Sequence, residues 1–364
     1  MRKVWAVLLL TALIATGVLF VARPWRGVTV AILFPASGVG APLGFSLTQS
    51  LLWAFDYANE RSFVPKYRPI VIETDDVEAG VREAVDSGAV VIVGASTSTY
   101  ASRLQKAADE VGLSVISVGA LSQALAEEDN LFRPHSGADE AFVMGEMLRK
   151  SVSRYTVFAS AQNPIYVVPF LDALTTGMGS VRPYAAYLSA DGGVSREALF
   201  SVLAEIMETD AVVLALPDFS AAVVARQLRH LYLDTPIWMA SWGATARFAE
   251  IAGSMGEGVR TVASWRPDAL QTSHPFVRYV RRLYGDELDP FPLTLAYDAA
   301  AMLDEAVSRG GIDRDGITKG LSEVRGVDGI NGPFVVDENG DGHPPLYLQE
   351  VSKRRWRLFE VISP

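Results

Sequence analysis

Short apolar, β-branched runs alternate with amphipathic helical segments through most of the sequence, and this alternation limits the fold more than any other feature. Four runs typical of buried strands come first, at residues 28–34, 70–74, 90–93 and 114–117. Helical periodicity separates the first three, and strand–helix–strand repeats predict a parallel sheet with right-handed crossovers. A second alternating series spans residues 138–262 and predicts a second α/β sheet.

No single linker joins the two series. The stretches 131–136, 265–267 and 326–332 each interrupt the alternation, and strand-like segments follow residue 333. With 364 residues the chain is long enough for two hydrophobic cores. We therefore predict two Rossmann-like lobes with parallel sheets, joined by three hinge crossovers: residues 28–134 and 267–331 in the first lobe, residues 135–266 and 332–364 in the second. Several thin crossings indicate a cleft that opens and closes.

The N-terminus is typical of an export element. Arg2 and Lys3 precede an uncharged apolar run over residues 4–22, and Arg23 closes it. Residues 1–27 are therefore predicted to be a signal peptide or a membrane anchor, and both alternatives stay open because the run is near the minimum length for a membrane span. In either case we expect an exported protein, in the periplasm or held by residues 4–22 at the outer face of the cytoplasmic membrane.

Composition excludes several classes of partner and chemistry. The net charge of −10 and the lack of any Lys/Arg run argue against nucleic-acid binding, which depends on neutralising phosphates. The absence of cysteine excludes disulfides, thiolate nucleophiles and cysteine zinc sites. The four histidines lack metal-ligand spacing and are expected on the surface or in loops, and no Gly-x-Ser-x-Gly elbow is present. We therefore expect no catalytic residues, no metal and no cofactor.

The break after residues 90–93 is the strongest candidate for a ligand site. Ser96, Thr97 and Ser98 follow it and open an amphipathic helix. The first backbone N–H groups of such a helix lack internal partners and carry the positive end of its dipole, which suits a carboxylate or phosphate. The loop after residues 114–117 would lie beside it, at the carboxyl end of the neighbouring strand. The alternative is that Ser98 merely caps its helix.

Several motifs resemble, in the same order, those of the type I periplasmic substrate-binding proteins, in particular the leucine/isoleucine/valine-binding branch of branched-chain amino-acid ABC transporters. The matching segments are the loop Pro35-Ala-Ser-Gly38, the strand and helix start at residues 90–99, the loop Ile116-Ser-Val-Gly-Ala120, the crossing Phe132-Arg133, the helix Leu295-Ala-Tyr-Asp-Ala299 and the hairpin that begins at Gly332-Pro-Phe334. Ala296 replaces the family's glycine in the helix motif. The resemblance covers residues 28–364 and implies two α/β lobes that clamp a small polar ligand.

The resemblance also implies which residues of the first lobe contact the ligand. The family holds a ligand carboxylate at the helix start, which corresponds to Ser98 with Thr97 beside it. The second loop corresponds to Gly119 and Leu121, so the family's threonine hydroxyl is missing here. Leu43 in the first loop would form an apolar wall.

The second lobe departs further from the family pattern. A ligand-contacting tyrosine corresponds to Tyr166, and another tyrosine-bearing loop corresponds to Asp218. The acidic residue that meets an amino-acid ammonium corresponds to Trp242, and an ammonium buried without a counter-charge is strongly unfavourable. Three explanations stay open: Asp218 supplies the charge, a cation–π contact with Trp242 replaces it, or the ligand is an aromatic or branched carboxylate rather than a simple α-amino acid. The alternative roles are packing for Trp242 and capping of the helix before Ser220 for Asp218.

Three functions are compatible with these features. The first is an extracytoplasmic solute-binding protein, not an enzyme, that closes on a small carboxylate-bearing ligand, such as an amino acid, and presents it to an ABC permease. The second is a membrane-tethered sensor or interaction module with a degenerate cleft and a membrane signalling partner. The third, an exported α/β enzyme, has neither a catalytic triad nor a metal set to support it.

Overall fold

The structure is a computed structural model that describes residues 27–362, except 63–65, 128, 138, 190–196, 198, 200–202, 232–233 and 287. The predicted signal peptide or anchor, apart from Gly27, therefore lies outside the described residues. Within the described part, no helix combines the length and the apolar character needed to cross a membrane.

A parallel sheet forms the first lobe. Its strands are Val28–Phe34 (β1), Tyr67–Glu73 (β2), Val91–Gly94 (β3), Ser114–Ser117 (β4) and Leu131–Phe132 (β5). They lie in the order β2-β1-β3-β4-β5. The strands β1, β3 and β4 are buried along their whole length, as expected for a parallel sheet covered on both faces. Residues 131–132, predicted as the start of a crossover, instead pair with β4 because both side chains are apolar and buried, so the crossover begins at Arg133.

A second, larger sheet and a small third sheet contain the remaining strands. These are Tyr155–Ser160 (β6), Pro183–Ser189 (β7), Ala211–Ala215 (β8), Ile237–Met239 (β9), Arg260–Ala263 (β10), Gly326–Gly329 (β11), Gly332–Val336 (β12), Gly342–His343 (β13), Leu346–Ser352 (β14) and Arg355–Ile362 (β15). The second sheet has the order β15-β14-β10-β9-β8-β6-β7. Strands β6 to β10 are parallel, whereas β14 pairs antiparallel with both β10 and β15. The predicted two-lobed α/β fold is confirmed.

The third sheet, β11-β12-β13, is antiparallel and corrects one prediction. Residues 333–336 were predicted to return to the second lobe, but β12 pairs with β11 instead. Gly329 pairs with Gly332 across a tight turn, and Gly332 has φ +109°, a value that favours glycine. Because this turn keeps β12 beside β11, the chain re-enters the second sheet only at β14.

Helices cover both sheets. Their bounds are Ala41–Glu60 (α1), Val77–Asp86 (α2), Ser98–Asp109 (α3), Glu140–Leu148 (α4), Pro164–Gly177 (α5), Leu203–Met207 (α6), Asp218–His230 (α7), Ala246–Ala252 (α8), Pro275–Tyr284 (α9), Pro290–Gly310 (α10) and Arg314–Glu323 (α11). In the first lobe α10 packs against α1 and α11. In the second lobe α4 packs against α5, and α7 against α8.

The start of α10 differs from the apolar pattern, which predicted a helix from Leu295. The helix begins at Pro290 because the Asp289 side chain accepts a hydrogen bond from the Phe291 N–H at 3.0 Å. Proline suits the first helical position, where an N–H would have no partner. Within this helix, Asp298 lies beside the first and third crossovers, where it contacts His135 and the Ile330 N–H.

Arg133 anchors the first crossover. Its buried guanidinium binds the carboxylate of Asp341, with Nε 2.6 Å from Oδ1 and Nη2 bonded to Oδ2. Nη1 donates to the carbonyl oxygens of Ala120 and Ser122. One buried ion pair therefore joins the first crossover, the hairpin between β12 and β13, and the second predicted ligand loop.

Replacing Asp341 with alanine should lower the free energy of unfolding by about 3–5 kcal/mol, because Arg133 would stay buried without its counter-charge. Urea denaturation followed by circular dichroism measures this change. The control is Glu146→Ala, which breaks the exposed Arg149–Glu146 pair and should cost at most about 1 kcal/mol. Equal effects of the two substitutions would contradict a special role for the buried pair.

Candidate ligand-binding cleft

The two lobes meet at a cleft that contains a small cavity. Its lining residues are Val39, Pro42, Leu43, Ser96 and Thr97 from the first lobe and Pro217, Asp218, Trp242 and Thr245 from the second. Five of the nine predicted contact residues thus line this cavity, and Ser98 is not among them. The cavity volume is about 20 Å³, room for roughly one water molecule. The lobes are closed on each other, so a larger ligand requires them to move apart.

The start of α3 has the predicted polar character, but a different residue caps it. Thr97 has an extended backbone (φ −138°, ψ 151°), and its hydroxyl accepts from the Tyr100 N–H at 3.3 Å. Ser98 is already helical, so it does not fill the capping role considered for it. The Ser98 hydroxyl is buried and has no hydrogen-bond partner among the described residues. Ser96 is satisfied, since its hydroxyl donates to the Gly40 carbonyl at 2.7 Å.

Asn163 from the second lobe reaches the start of α3, a contact that the sequence did not predict. Its Oδ1 accepts from the backbone N–H and from the hydroxyl of Thr99, each at 3.1 Å. Asn163 immediately precedes α5, but its side chain makes no capping hydrogen bond to that helix and binds Thr99 instead. The side chain of Asn163 therefore occupies part of the helix end that was predicted to hold an anion.

Two further hydrogen bonds hold the lobes together. The Ser122 hydroxyl donates to the Ile165 carbonyl at 2.5 Å, and the Ala246 N–H donates to Asp289 Oδ2 at 3.2 Å. In each case one partner belongs to the first lobe and the other to the second. The closed arrangement is thus stabilised by polar contacts on both sides of the cavity.

Trp242 forms an aromatic wall of the cleft with Tyr166. It lies in the short 3₁₀ turn Ser241–Gly243, and its indole Nε1 is buried without a partner in the described part of the chain. The ring centroids of Trp242 and Tyr166 are 5.6 Å apart at an interplanar angle of 52°. A second cavity, of about 10 Å³, lies at Leu121 and Tyr166. Trp242 lines the first cavity and Tyr166 the second, so this pair of rings lies between the two cavities.

The carboxylate of Asp218 already has partners. Oδ2 accepts from the Thr245 hydroxyl at 2.9 Å, Oδ1 accepts from the Phe219 N–H at 2.6 Å, and Arg247 Nη1 lies 3.8 Å from Oδ1. Asp218 is the first residue of α7 rather than the residue that precedes it, so the capping role considered for it is wrong. These neighbours balance its charge, which makes Asp218 a poor counter-ion for a ligand ammonium.

Gly119 shapes the cleft through its backbone. A Cβ atom at this position would lie 3.0 Å from Ser96 Cα, and the Gly119 N–H donates to the Ala95 carbonyl at 2.9 Å. Glycine therefore lets the second loop pack directly against the first. Gly119 is not among the residues that line either cavity.

Two buried titratable residues behind the cleft were missed. The four histidines were expected on the surface or in loops, and His135 does lie in a loop, but it is buried and bonded to Ser264 and Asp298. Glu140 is also buried, and burial raises its pKa. In the part of the chain that the structure describes, no group of three or more His, Asp or Glu side chains could hold a metal ion.

Comparison with known families agrees with this geometry. The profile of a family described as periplasmic binding protein matches residues 27–355. The chain belongs to the periplasmic binding protein family. A search of curated proteins finds no significant match.

Solved structures show that this periplasmic binding protein has the type I fold. A leucine-binding protein from Thermotoga maritima superposes with a TM-score of 0.82 at 20% identity, covering 93% of this chain and 99% of that one. An isoleucine-bound branched-chain amino-acid transporter protein from Streptococcus pneumoniae has a TM-score of 0.80 at 17% identity, covering 93% and 100%. A benzoate-bound solute-binding protein from R. palustris has a TM-score of 0.78 at 20% identity, covering 92% and 96%.

Replacing Asn163 with alanine should favour the open form of this periplasmic binding protein. The substitution removes two hydrogen bonds between the lobes, each contributing about 1 kcal/mol, so the open-to-closed ratio should rise about 5–30-fold. Small-angle scattering without added ligand would detect this as a larger radius of gyration. Gln162→Ala, at the exposed neighbouring position, is the control, and identical scattering from the two variants would contradict the assigned contact.

Proposed function

We propose that the protein is an extracytoplasmic solute-binding protein that closes on a small carboxylate-bearing ligand and presents it to an ABC permease. One observation carries the proposal: each lobe contributes a buried donor without a partner among the described residues, the Ser98 hydroxyl and the Trp242 indole N–H. Such an unpaired group costs about 1–3 kcal/mol. A ligand carboxylate that accepts from both would remove both costs and link the lobes.

The proposed mechanism is a shift of an open–closed equilibrium. Ligand contacts to both lobes exist together only in the closed form, so binding favours closure by the difference in affinity between the two forms. The permease would then recognise the closed surface. Family membership supports export of the protein, and residues 1–27 are proposed as the signal peptide or anchor that directs it.

The charges around the cleft favour a ligand without an ammonium group. The Asp218 carboxylate is bonded to Thr245 and lies beside Arg247, and Trp242 stands where an acid would be needed. An aromatic or branched carboxylate would fill the aromatic wall without burying an unpaired positive charge. Solved relatives include proteins bound to benzoate and to isoleucine, so the fold accommodates both ligand classes.

Ser98→Ala should weaken binding of the best carboxylate about tenfold or more, because a hydrogen bond to a charged group contributes about 1.5–3 kcal/mol. The unliganded variant should be as stable as the wild type or more stable, since the lost hydroxyl has no partner in the described residues. Isothermal titration and thermal unfolding measure the two effects. Ser102→Ala, on the same helix, is the control, and equal affinities for the two variants would contradict the proposed contact.

Matched ligand pairs would test the ligand class. In a thermal-shift assay, 3-phenylpropionate should stabilise the protein more than phenylalanine, and 4-methylpentanoate more than leucine, because each pair differs only by the ammonium group. A ligand at about 100 times its Kd adds about 2.7 kcal/mol to the free energy of unfolding. Larger shifts with the amino acids would reverse the assignment.

A membrane-tethered sensor with a degenerate cleft is the second candidate. The small cavity and the hydrogen bonds from Thr99 to Asn163 favour it, because both leave little free space for a solute. A broad library of carboxylates, amino acids and amides that produces no thermal shift, even with Asn163→Ala, would support this candidate over transport.

A further inference from the structure

A buried carboxyl group connects to the turn that carries Trp242. Glu140 is the first residue of α4, and its side chain lies between the cleft and the crossovers. Oε1 accepts from the Ser264 N–H at 2.8 Å, and the Ser241 hydroxyl donates to Oε2. Ser241 opens the 3₁₀ turn that carries Trp242. Glu140 is therefore hydrogen-bonded to the turn that holds Trp242 in the aromatic wall of the cleft.

The same group of hydrogen bonds extends to the first and third crossovers and to Ser264, just before the second. His135, in the first crossover, has Nδ1 3.0 Å from the hydroxyl of Ser264, which follows β10. Its Nε2 lies 2.8 Å from Asp298 Oδ2, and Asp298 Oδ1 accepts from the Ile330 N–H in the third crossover at 2.9 Å. The side chains of this network are all buried: Asp298, His135, Ser264 and Glu140. One continuous hydrogen-bond network thus connects the crossovers to the turn that carries Trp242.

We propose that Glu140 is a positioning residue that couples the Trp242 wall of the cleft to the hinge, and that closure of the lobes retains a proton on its carboxyl group. The proposal rests on the proposed function, in which hinged closure is the motion that transport requires. It assigns to Glu140 no contact with the ligand. Its effect passes through Ser241 on one side and through Ser264 and His135 on the other.

The surroundings of Glu140 favour its neutral form. The titratable side chains that face it are His135 from the first crossover and Tyr166 from α5, with Asp298 of α10 behind His135. No lysine or arginine forms an ion pair with it in the described part of the chain. Burial raises the pKa of Glu140, and burial also raises the pKa of Tyr166. Ionisation in the closed form would place a negative charge in a dry site.

The sign of the pH effect follows from linkage. Trp242 and Tyr166 line the two cavities between the lobes, so opening would admit water beside them and lower the cost of a charged carboxylate at Glu140. The closed form therefore binds one more proton than the open form at pH values between the ordinary glutamic acid pKa and the raised one. Within that window, raising the pH favours opening by up to about tenfold per pH unit, the limit for release of one proton.

Spin labels on the two lobes would measure this directly. The chain has no cysteine, so Phe45→Cys and Phe219→Cys introduce two labelling sites. Both side chains are exposed and close to the cleft-lining residues Leu43 and Asp218. Electron–electron distances without added ligand should lengthen in the labelled wild type as the pH is raised above the ordinary glutamic acid pKa of about 4.3. With Glu140→Gln, which cannot ionise, the short distance should persist at every pH.

Glu146→Gln, at a half-buried site on the same helix, is the matched control and should follow the wild type. If Glu140→Gln also follows the wild type, or if it opens the lobes at every pH, the proposal is overturned. Should Glu140→Gln fold poorly, Ser241→Ala provides the second test, because it removes a donor that lowers the pKa of the Glu140 carboxyl while leaving the carboxyl buried, so the pH-dependent opening should persist and move to higher pH. An unchanged pH dependence in this variant would also overturn the proposal. None of these measurements needs a ligand, so a negative ligand screen counts against the proposed function and leaves this test intact.

Discussion

Burial of the Arg133 guanidinium is the constraint on which the cleft depends. A buried positive charge requires a paired and hydrogen-bonded environment, and Arg133 obtains it from Asp341 and from two carbonyl oxygens of the loop at residues 120–122. These contacts fix the second loop relative to the first crossover and the hairpin of the third sheet. Movement of the lobes must therefore take place around this anchored loop rather than within it.

The closed cleft contains both polar groups that have hydrogen-bond partners and buried polar groups that have none among the described residues. At the start of α3, Asn163 accepts hydrogen bonds from the backbone N–H and the hydroxyl of Thr99. The hydroxyl of Ser98, one residue earlier, has no partner in the described part of the chain. On the opposite lobe, the indole N–H of Trp242 likewise has no hydrogen-bond partner among the described residues. Because a buried donor without an acceptor is costly, this arrangement is less stable than one in which an acceptor enters between the lobes. In the proposed function, these two donors would therefore favour an incoming anion even though the cavity is small.

The sequence was sufficient for the fold and for part of the cleft because the relevant signals are local. Strand and helix periodicity predicted both sheets, and the run of hydroxyl residues after Gly94 predicted the polar start of α3. The sequence did not predict contacts between residues that are far apart along the chain. Asn163 meets Thr99 across 64 positions, and His135 meets Asp298 across 163, and no local pattern signals either contact. The choice of Thr97 over Ser98 as the cap depends on one backbone dihedral pair, which spacing alone does not determine.

Charge balance decides how a ligand could replace Asn163. The amide oxygen of Asn163 is a neutral acceptor, and a carboxylate at the same helix end would gain charge-assisted hydrogen bonds and the favourable helix dipole. In the proposed function, displacement of Asn163 by a ligand anion would therefore be favourable at this end of the cleft. At the other end, Asp218 is already balanced by Thr245 and Arg247, and the pKa of Glu140 is raised by burial, so neither offers a free negative charge. In the proposed function, a helix end that attracts an anion, with Asp218 and Glu140 both unavailable to an ammonium group, would select a carboxylate over a zwitterion, so the ammonium group rather than ligand size should govern specificity.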